Sequence, residues 1–376
     1  MSKKKSNKYM EFNSLQDIVI YFRELLNIKK YILLFAYNGT GKTRLSNEFK
    51  NIGKNFNEET EEYTADTLYY NAFTEDLFHW DNDLENDEMR ILKMNGNSRF
   101  FNGLKELNMN EKINNFLNRY ADFNFKIDYN NYSITFSKNG NDNIKISRGE
   151  ENIFIWCFFL AIVQLIIDND DAYQWVKYIY IDDPISSLDD NNVITMATDL
   201  AQLLKVEREK NEINFKVIIS THHALFYNVL YNEIKTAEKF FFQKEDRNVE
   251  KYILKNTGET PFFHHVSMLK KLKKAADSGK LHTYHFNILR NILEKTASFH
   301  GYDNFSDCLR KPDDENMAVY KRIINLLSHG NYSIFEPKEM VPDNKEYFKT
   351  ILNNFLEDYN FNKNIIDDKE EKKDER

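Results

Sequence analysis

The residues best equipped for chemistry fall into two groups far apart in the chain. The first is A-Y-N-G-T-G-K-T, residues 36–43. Gly39 and Gly41 let the backbone turn its N–H groups inward around phosphate oxygens. A helix starting at the loop aims its free N–H groups and dipole at the same anion. Lys42 then reaches the outer phosphates and Thr43 offers a hydroxyl to Mg²⁺. Asn38, Thr40 and Arg44 complete the expected contacts, so the chemistry is binding of a nucleoside triphosphate, ATP or GTP, with Mg²⁺. The second group is Arg290, Glu294 and His329. Arg290 and Glu294 are four residues apart and share a helix face; His329 ends an apolar run just before Gly330. Together they suffice for RNA cleavage without a metal. Glu294 or His329 takes the 2′-OH proton, and His329, titrating near neutrality, protonates the leaving 5′-oxygen. Arg290 neutralises the charge that develops on the phosphorane. On residue types alone, such an Arg/Glu pair is also an ordinary surface ion pair, and a His beside Gly an ordinary helix end.

Three further segments sharpen the first group. Y-I-Y-I-D-D-P-I-S-S-L-D (178–189) is four apolar residues ending in Asp182, which would hold Mg²⁺ through Thr43 or water. Asp183 follows at the position of a general base, and Ser187 to Asp189 resemble the D-loop of an ABC-type ATPase. I-S-R-G-E (146–150) resembles the ABC signature and directly precedes a helix expected over 151–167. Ser147, Gly149 and Glu150 would close over a γ-phosphate bound by another subunit. V-I-I-S-T-H-H (217–223) ends an apolar strand and places His222 where these ATPases carry a switch histidine. Two departures stand out. Asp183 is one methylene shorter than the usual Glu, which suits slow turnover. The Q-loop glutamine is missing, since no Gln lies between Gln16 and Gln164, leaving Asn71 or Glu75 as candidates near the metal.

The elements that must position these residues are legible from pattern. Residues 15–29 have helical spacing, Tyr31–Phe35 is a short buried strand, and Arg44–Phe49 is a helix. Strands are expected at Thr67–Phe73, Tyr132–Phe136, Tyr178–Ile181, Phe215–Ile219, Lys239–Gln243 and Val249–Leu254. N-T-G-E-T-P (256–261) is a boundary, beyond which the chain reads as mainly helical to a charged tail. The expected organisation is an α/β NTPase domain over 1–258 and a mainly α-helical domain over 259–376.

Composition sets bounds. With 376 residues and a formal net charge of −8, this is no general polyanion binder, so any nucleic-acid site is local. Met268 to Lys280 is such a patch: Lys270, Lys271, Lys273, Lys274 and Lys280 lie within thirteen residues. The alternative for it is a solvated basic helix face. Two distant cysteines, Cys157 and Cys308, exclude a disulfide framework and a four-cysteine zinc site. The basic start leads into no apolar segment, so no signal peptide is expected. The longest apolar run, Ile153–Ile167, reads as a buried helix, so the expectation is a cytoplasmic protein with no membrane contact. Aromatics make up 15% of residues and are expected mainly in the core.

The whole chain resembles the PrrC-type tRNA anticodon nucleases, an ABC-type ATPase fused to a C-terminal ribonuclease domain. The resemblance is carried by F-A-Y-N-G-T-G-K-T-R-L-S (35–46), Y-Y-N-A-F-T-E-D-L-F-H-W-D-N-D-L-E (69–85), D-D-P-I-S-S-L-D, R-N-I-L-E and L-S-H-G. It implies that Arg290, Glu294 and His329 are the catalytic trio, and that no cofactor serves the nuclease site. It also implies cleavage in the anticodon loop, typically of lysine tRNA, gating by bound nucleotide, and silencing by a type I restriction–modification complex until a phage disables it. An ABC-type site needs a second subunit, so at least a homodimer is expected. Two alternatives remain open on the sequence: a recombination- or repair-type ABC ATPase acting as a DNA clamp, and a HEPN-like ribonuclease using Arg322 with His329.

Overall fold

In the computed structural model, the described residues are 9–58, 62–72, 77–82, 90–96, 98–101, 104, 107–209, 215–246, 249–257, 264–309, 324, 339–359 and 361. The chain divides into two compact units, Met1–Pro261 and Phe262–Arg376.

The first unit is built on a seven-stranded sheet. Its elements begin with β1 (Tyr9–Phe12), α1 (Leu15–Leu25), β2 (Tyr31–Phe35), α2 (Lys42–Ile52), β3 (Asn55–Asn57), β4 (Glu62–Thr64) and β5 (Thr67–Asn71). Then come β6 (Phe78–Asn82), β7 (Arg90–Met94), α3 (Met109–Leu117), β8 (Asn124–Asp128), β9 (Ser133–Ser137), α4 (Arg148–Ile167) and β10 (Tyr178–Asp182). The unit closes with α5 (Asp190–Glu209), β11 (Lys216–Thr221), α6 (Ala224–Glu233), β12 (Glu238–Asp246) and β13 (Val249–Asn256). The strand order is β1-β13-β12-β2-β11-β10-β5. From β12 to β5 the pairing is parallel; β13 and β1 add an antiparallel edge. Parallel strands covered on both faces need unbroken apolar runs, and every residue of Y-I-L-L-F in β2 is buried. β6-β7-β9-β8 form a separate antiparallel sheet, and β3-β4 a hairpin.

Helix α4 joins the two larger sheets. It is apolar on all sides, as a helix must be when it has no solvent face. Trp156 and Phe159 meet Tyr70 of β5, while Phe154 meets Phe125 and Phe136 and Phe158 meets Phe78 of the smaller sheet. Eight aromatic rings meet in this core. By length and composition α4 would also span a membrane, but 89% of its most apolar window is buried inside the protein. It starts at Arg148, earlier than the expected residue 151, because Ser147 and Glu150 form a reciprocal capping box. Gly149 and Glu150 therefore lie in the first helical turn, not ahead of it. β5 ends at Asn71, two residues short of the expected strand.

The second unit contains α7 (His264–Ser278), α8 (Tyr284–His300) and α9 (Pro342–Asp358). Leu289, Ile292, Leu293 and Ala297 of α8 are buried, as are Phe348, Ile351 and Phe355 of α9. Ring contact of Phe286 with Phe348 ties the two helices together.

Candidate functional site

The carboxyl ends of β2, β5, β10 and β11 lie side by side, with Asp182 opposite Asn71 and Ser220, and Thr221 opposite Phe35. In a parallel sheet this is the edge where ligands bind. The loop 36–41 leaves β2 here and enters α2. Gly39 and Gly41 have φ of 78° and 109°, a backbone that L side chains rarely adopt, and a Cβ built on either meets nothing within 4 Å. The loop is thus an open cradle at a helix N-terminus. Thr43 is exposed in the first turn of α2.

Lys42 is buried. Its Nζ donates to the carbonyl oxygens of Ala36 (3.1 Å) and Tyr37 (3.3 Å) and to Asn38 Oδ1 (3.4 Å), and pairs with Asp183 Oδ2 at 3.2 Å. Asp183 sits at φ 51°, unusual for a residue with a side chain, and its N–H donates to Ser220 O (2.7 Å). Its Oδ1 accepts from the backbone N–H of His222 (2.9 Å) and from His222 Nδ1 (2.5 Å). Burial raises the Asp183 carboxyl, but the His222 side-chain hydrogen bond, the Lys42 charge and the His222 N–H together outweigh it. The carboxyl therefore lies below the ordinary range. Lys42, Asp183 and His222, from three separate segments, form one connected cluster.

Asp182 is fully buried and accepts from neutral donors. Oδ1 receives Ser220 Oγ (2.6 Å); Oδ2 receives Asn71 Nδ2 (3.1 Å), Ser46 Oγ (3.2 Å) and Tyr69 Oη (3.3 Å). Burial and the Asp182 charge push the Tyr69 hydroxyl up to about 12. The donors named here are neutral, and the oxygens of Asp182 and Thr43 are of the kind Mg²⁺ takes, together with water. The residues fit a magnesium–triphosphate group: Thr43 and Asp182 on the metal side, the loop amides and Lys42 on the phosphates. Sequence reasoning singles out Asn71 and not Ser46, Tyr69 or Ser220. Their signal is positional: Tyr69 lies two residues before Asn71 on one face of β5, and Ser46 one helical turn after Thr43.

The signature-like segment is engaged locally. Ser147 Oγ accepts from Glu150 N (3.3 Å), and Glu150 Oε2 accepts from Ser147 N (2.8 Å). A Cβ on Gly149 would come 3.4 Å from Ser187 O, and Asn152 Nδ2 donates to Ser186 O (3.0 Å), so the turn 186–189 packs against the start of α4. Asp189 accepts from the N–H of Asn192 (3.0 Å) and starts α5. Arg44 points to exposed Glu250 at 3.3 Å. Glu150, Asp189 and Arg44 thus have structural partners within the chain.

In the second unit, Arg290 Nε donates to Glu294 Oε1 at 2.7 Å, and the guanidinium lies 5.3 Å from the ring centre of Phe305. The Arg290 side chain is 19% exposed and Glu294 47%. His329, Arg322 and Glu75 lie outside the described residues. Of the basic segment, Lys271 and Lys274 are exposed on α7, with Lys270 and Lys273 half-buried beside them, and Lys280 follows the helix. Lys271 Nζ stands 5.7 Å from the Tyr284 ring.

A mixed sheet with an open phosphate cradle at its strand-to-helix joint defines a P-loop nucleoside triphosphatase. An AAA domain family matches residues 102–357, a span that starts after the phosphate loop and runs into α9. An anticodon nuclease from Escherichia coli is 37% identical, with 89% of this chain and 90% of that protein covered. The chain belongs to the PrrC-type anticodon nuclease family.

Proposed function

We propose that this protein is an endoribonuclease that cuts tRNA in the anticodon loop, with an NTPase domain over 1–258 gating a nuclease domain over 259–376. The observation that carries the reading is the Arg290–Glu294 pair: a forked cation and a half-exposed carboxylate held together on one helix face, in a chain similar over nine-tenths of its length to an anticodon nuclease. Arg290, Glu294 and His329 are the proposed trio. The 2′-oxygen attacks phosphorus as Glu294 or His329 takes its proton, and the bond to the 5′-oxygen breaks as that atom gains a proton from the other of the two, His329 where Glu294 is the base and protonated Glu294 where His329 is. The products are a 2′,3′-cyclic phosphate and a 5′-hydroxyl. Arg290 neutralises charge on the phosphoryl oxygens. Lys270, Lys271, Lys273, Lys274 and Lys280 contact the tRNA backbone, with lysine tRNA the expected substrate.

At the other site, ATP or GTP with Mg²⁺ supplies a γ-phosphate whose presence or loss is the signal. Asn38 to Arg44 bind it, Thr43 and Asp182 would hold the metal, Asp183 is the general base for hydrolysis and His222 senses the γ-phosphate. Ser147, Gly149, Glu150 and Asp189 belong to a composite site completed by a second copy, so the protein works as a homodimer or larger assembly. The setting is a cytoplasmic antiphage effector associated with a type I restriction–modification complex.

The test is incubation of bulk tRNA with wild type, Glu294→Gln and His329→Ala, with and without each triphosphate. Wild type should cut and both variants should lose at least about a hundredfold in rate, the usual worth of an acid–base group. Cutting by His329→Ala at the wild-type rate, or intact tRNA with wild type under every nucleotide, would sink the proposal.

A further inference from the structure

Helix α8 has one exposed face. Asn291, Glu294, Lys295, Ser298 and Phe299 are exposed on it, opposite the buried Leu289, Ile292, Leu293 and Ala297. At its end this face turns aromatic. Phe299 is 88% exposed, and Tyr302, just past the helix, is 45% exposed. Isolated exposed apolar residues are common, but this pair is mounted rigidly. Gly301, at φ 74°, closes the helix, and the Tyr302 N–H donates back to Ala297 O at 2.8 Å, a Schellman-type stop that fixes where both rings emerge. His300 sits between them. Its ring lies 6.0 Å from Tyr302 at an interplanar angle of 19°, 5.4 Å from Phe299, and 5.2 Å from Tyr359 behind it. The exposed His300 ring thus lies between the two and links them to Tyr359.

We propose that Phe299 and Tyr302 are a stacking platform for unpaired bases of the RNA substrate, next to the bond that is cut. This rests on the nuclease reading of Arg290 and Glu294. An RNA that docks its phosphodiester on that pair has the exposed side of α8 to follow. From Glu294 to Phe299 is five residues, about 7.5 Å of helix rise and about 140° of turn around the axis. Two stacked nucleotides span about 6.8 Å at roughly 3.4 Å each. The platform therefore falls within a few bases of the scissile phosphate, partway around the exposed side of the helix, with Lys295 between the two. Aromatic planes accept any unpaired base and no paired one, so the platform selects loops and single strands by shape and leaves base identity to other contacts. A second protein chain would suit a broad apolar patch better than two rings on a helix face that also carries Glu294 and Lys295.

The experiment uses the full chain and an anticodon stem–loop whose loop is 2′-deoxy throughout, with 2-aminopurine at successive loop positions. Without a 2′-OH the probe cannot be cut by transesterification, whichever residues are catalytic. Wild type should quench 2-aminopurine at one or two positions. Phe299→Ala with Tyr302→Ala should raise Kd about tenfold and abolish the quench. Phe299→Trp should keep both, and Phe299→Leu, which preserves apolar contact without a π-face, should behave like Ala. Because Phe299 is so exposed, these variants should fold as wild type does. Unchanged Kd and quench in the double variant, with tRNA still cut by wild type, would overturn the platform and leave the nuclease intact. Equal binding by Phe299→Leu would also overturn it, as would a drop in oligomer mass in the double variant, which would make the face a contact between copies. If wild type neither binds the probe nor cuts tRNA, the nuclease reading fails first and the platform with it.

Discussion

Replacing Asp183 by asparagine should tighten triphosphate binding while stopping turnover. Lys42 Nζ is held 3.2 Å from Asp183 Oδ2, with the two side chains 5% and 13% exposed. At that distance the attraction is about 5 kcal/mol at an effective dielectric of about 20 and about 1 in bulk water. Lys42 also keeps the acceptors on Ala36, Tyr37 and Asn38, so releasing it from the carboxylate costs about 1.5–3 kcal/mol, the worth of one charged hydrogen bond. An incoming γ-phosphate must meet that cost and also approach the Asp183 charge. The Asp183→Asn amide would keep the shape and the contact with the His222 N–H but remove both penalties. The expected result is a Kd about tenfold lower for fluorescent ATP or GTP analogues with Mg²⁺, and phosphate release slower by at least about a hundredfold. Sign and pH range follow from the lowered Asp183 carboxyl. Its charge is present above the ordinary carboxylate value near 3.9 and is lost only as pH falls through the lower folded value, so the gain should be flat from about pH 6 to 8. Weaker binding by the variant, or binding equal to wild type, would refute the idea that Asp183 competes with nucleotide for Lys42.

Other outcomes can be checked independently. Ser147→Ala should destabilise the first unit by about 1 kcal/mol in urea by removing the capping box; Ser147→Asp should restore the cap yet block nucleotide-driven association, because its charge would face a γ-phosphate. Gly41→Ala should weaken nucleotide binding at least about tenfold through backbone strain alone, since the new Cβ meets no neighbour. In the second unit, burial and the charges of Lys271 and His282 lower His285 to about 4, and its Nδ1 accepts the His282 N–H at 3.0 Å, which requires the neutral ring. The unfolded chain therefore binds the extra proton first, so stability should fall as pH drops from about 6.5 towards 4, and His285→Leu should flatten that dependence in circular-dichroism melts.

The nucleotide site is readable in the sequence because buried parallel strands have little freedom. β2, β10 and β11 are short, largely apolar runs followed or closed by polar residues that the sheet sets at one edge: Asn38 and Lys42 after β2, Asp182 to close β10, Thr221 to close β11 and His222 just after it. The shell of Asp182 is not readable. Tyr69 and Ser46 are ordinary strand and helix residues until register brings them to one oxygen. β6 is hidden for a different reason. F-H-W-D-N alternates as a half-buried strand should, but it sits inside the run 74–85, which stands out as a family signature and not as a period-two pattern. Helix α5 carries apolar residues at Val193, Met196, Ala197, Leu200 and Leu204, a helical spacing present in the sequence but overshadowed by the stronger motif before it. Arg290 and Glu294 are legible as a face, whereas Phe299 and Tyr302 gain meaning only once the Gly301 stop shows how they emerge.

The central claim is that a chain carrying a phosphate loop at residues 36–43 and the Arg290–Glu294 pair cuts tRNA in its anticodon loop. The direct measurement is end mapping of bulk tRNA exposed to the purified protein with ATP or GTP. Cuts confined to anticodon loops, leaving 2′,3′-cyclic phosphate and 5′-hydroxyl ends and absent with Glu294→Gln, are the predicted result. Cuts outside the anticodon loop, ends bearing 5′-phosphate, or equal cutting by Glu294→Gln would contradict it.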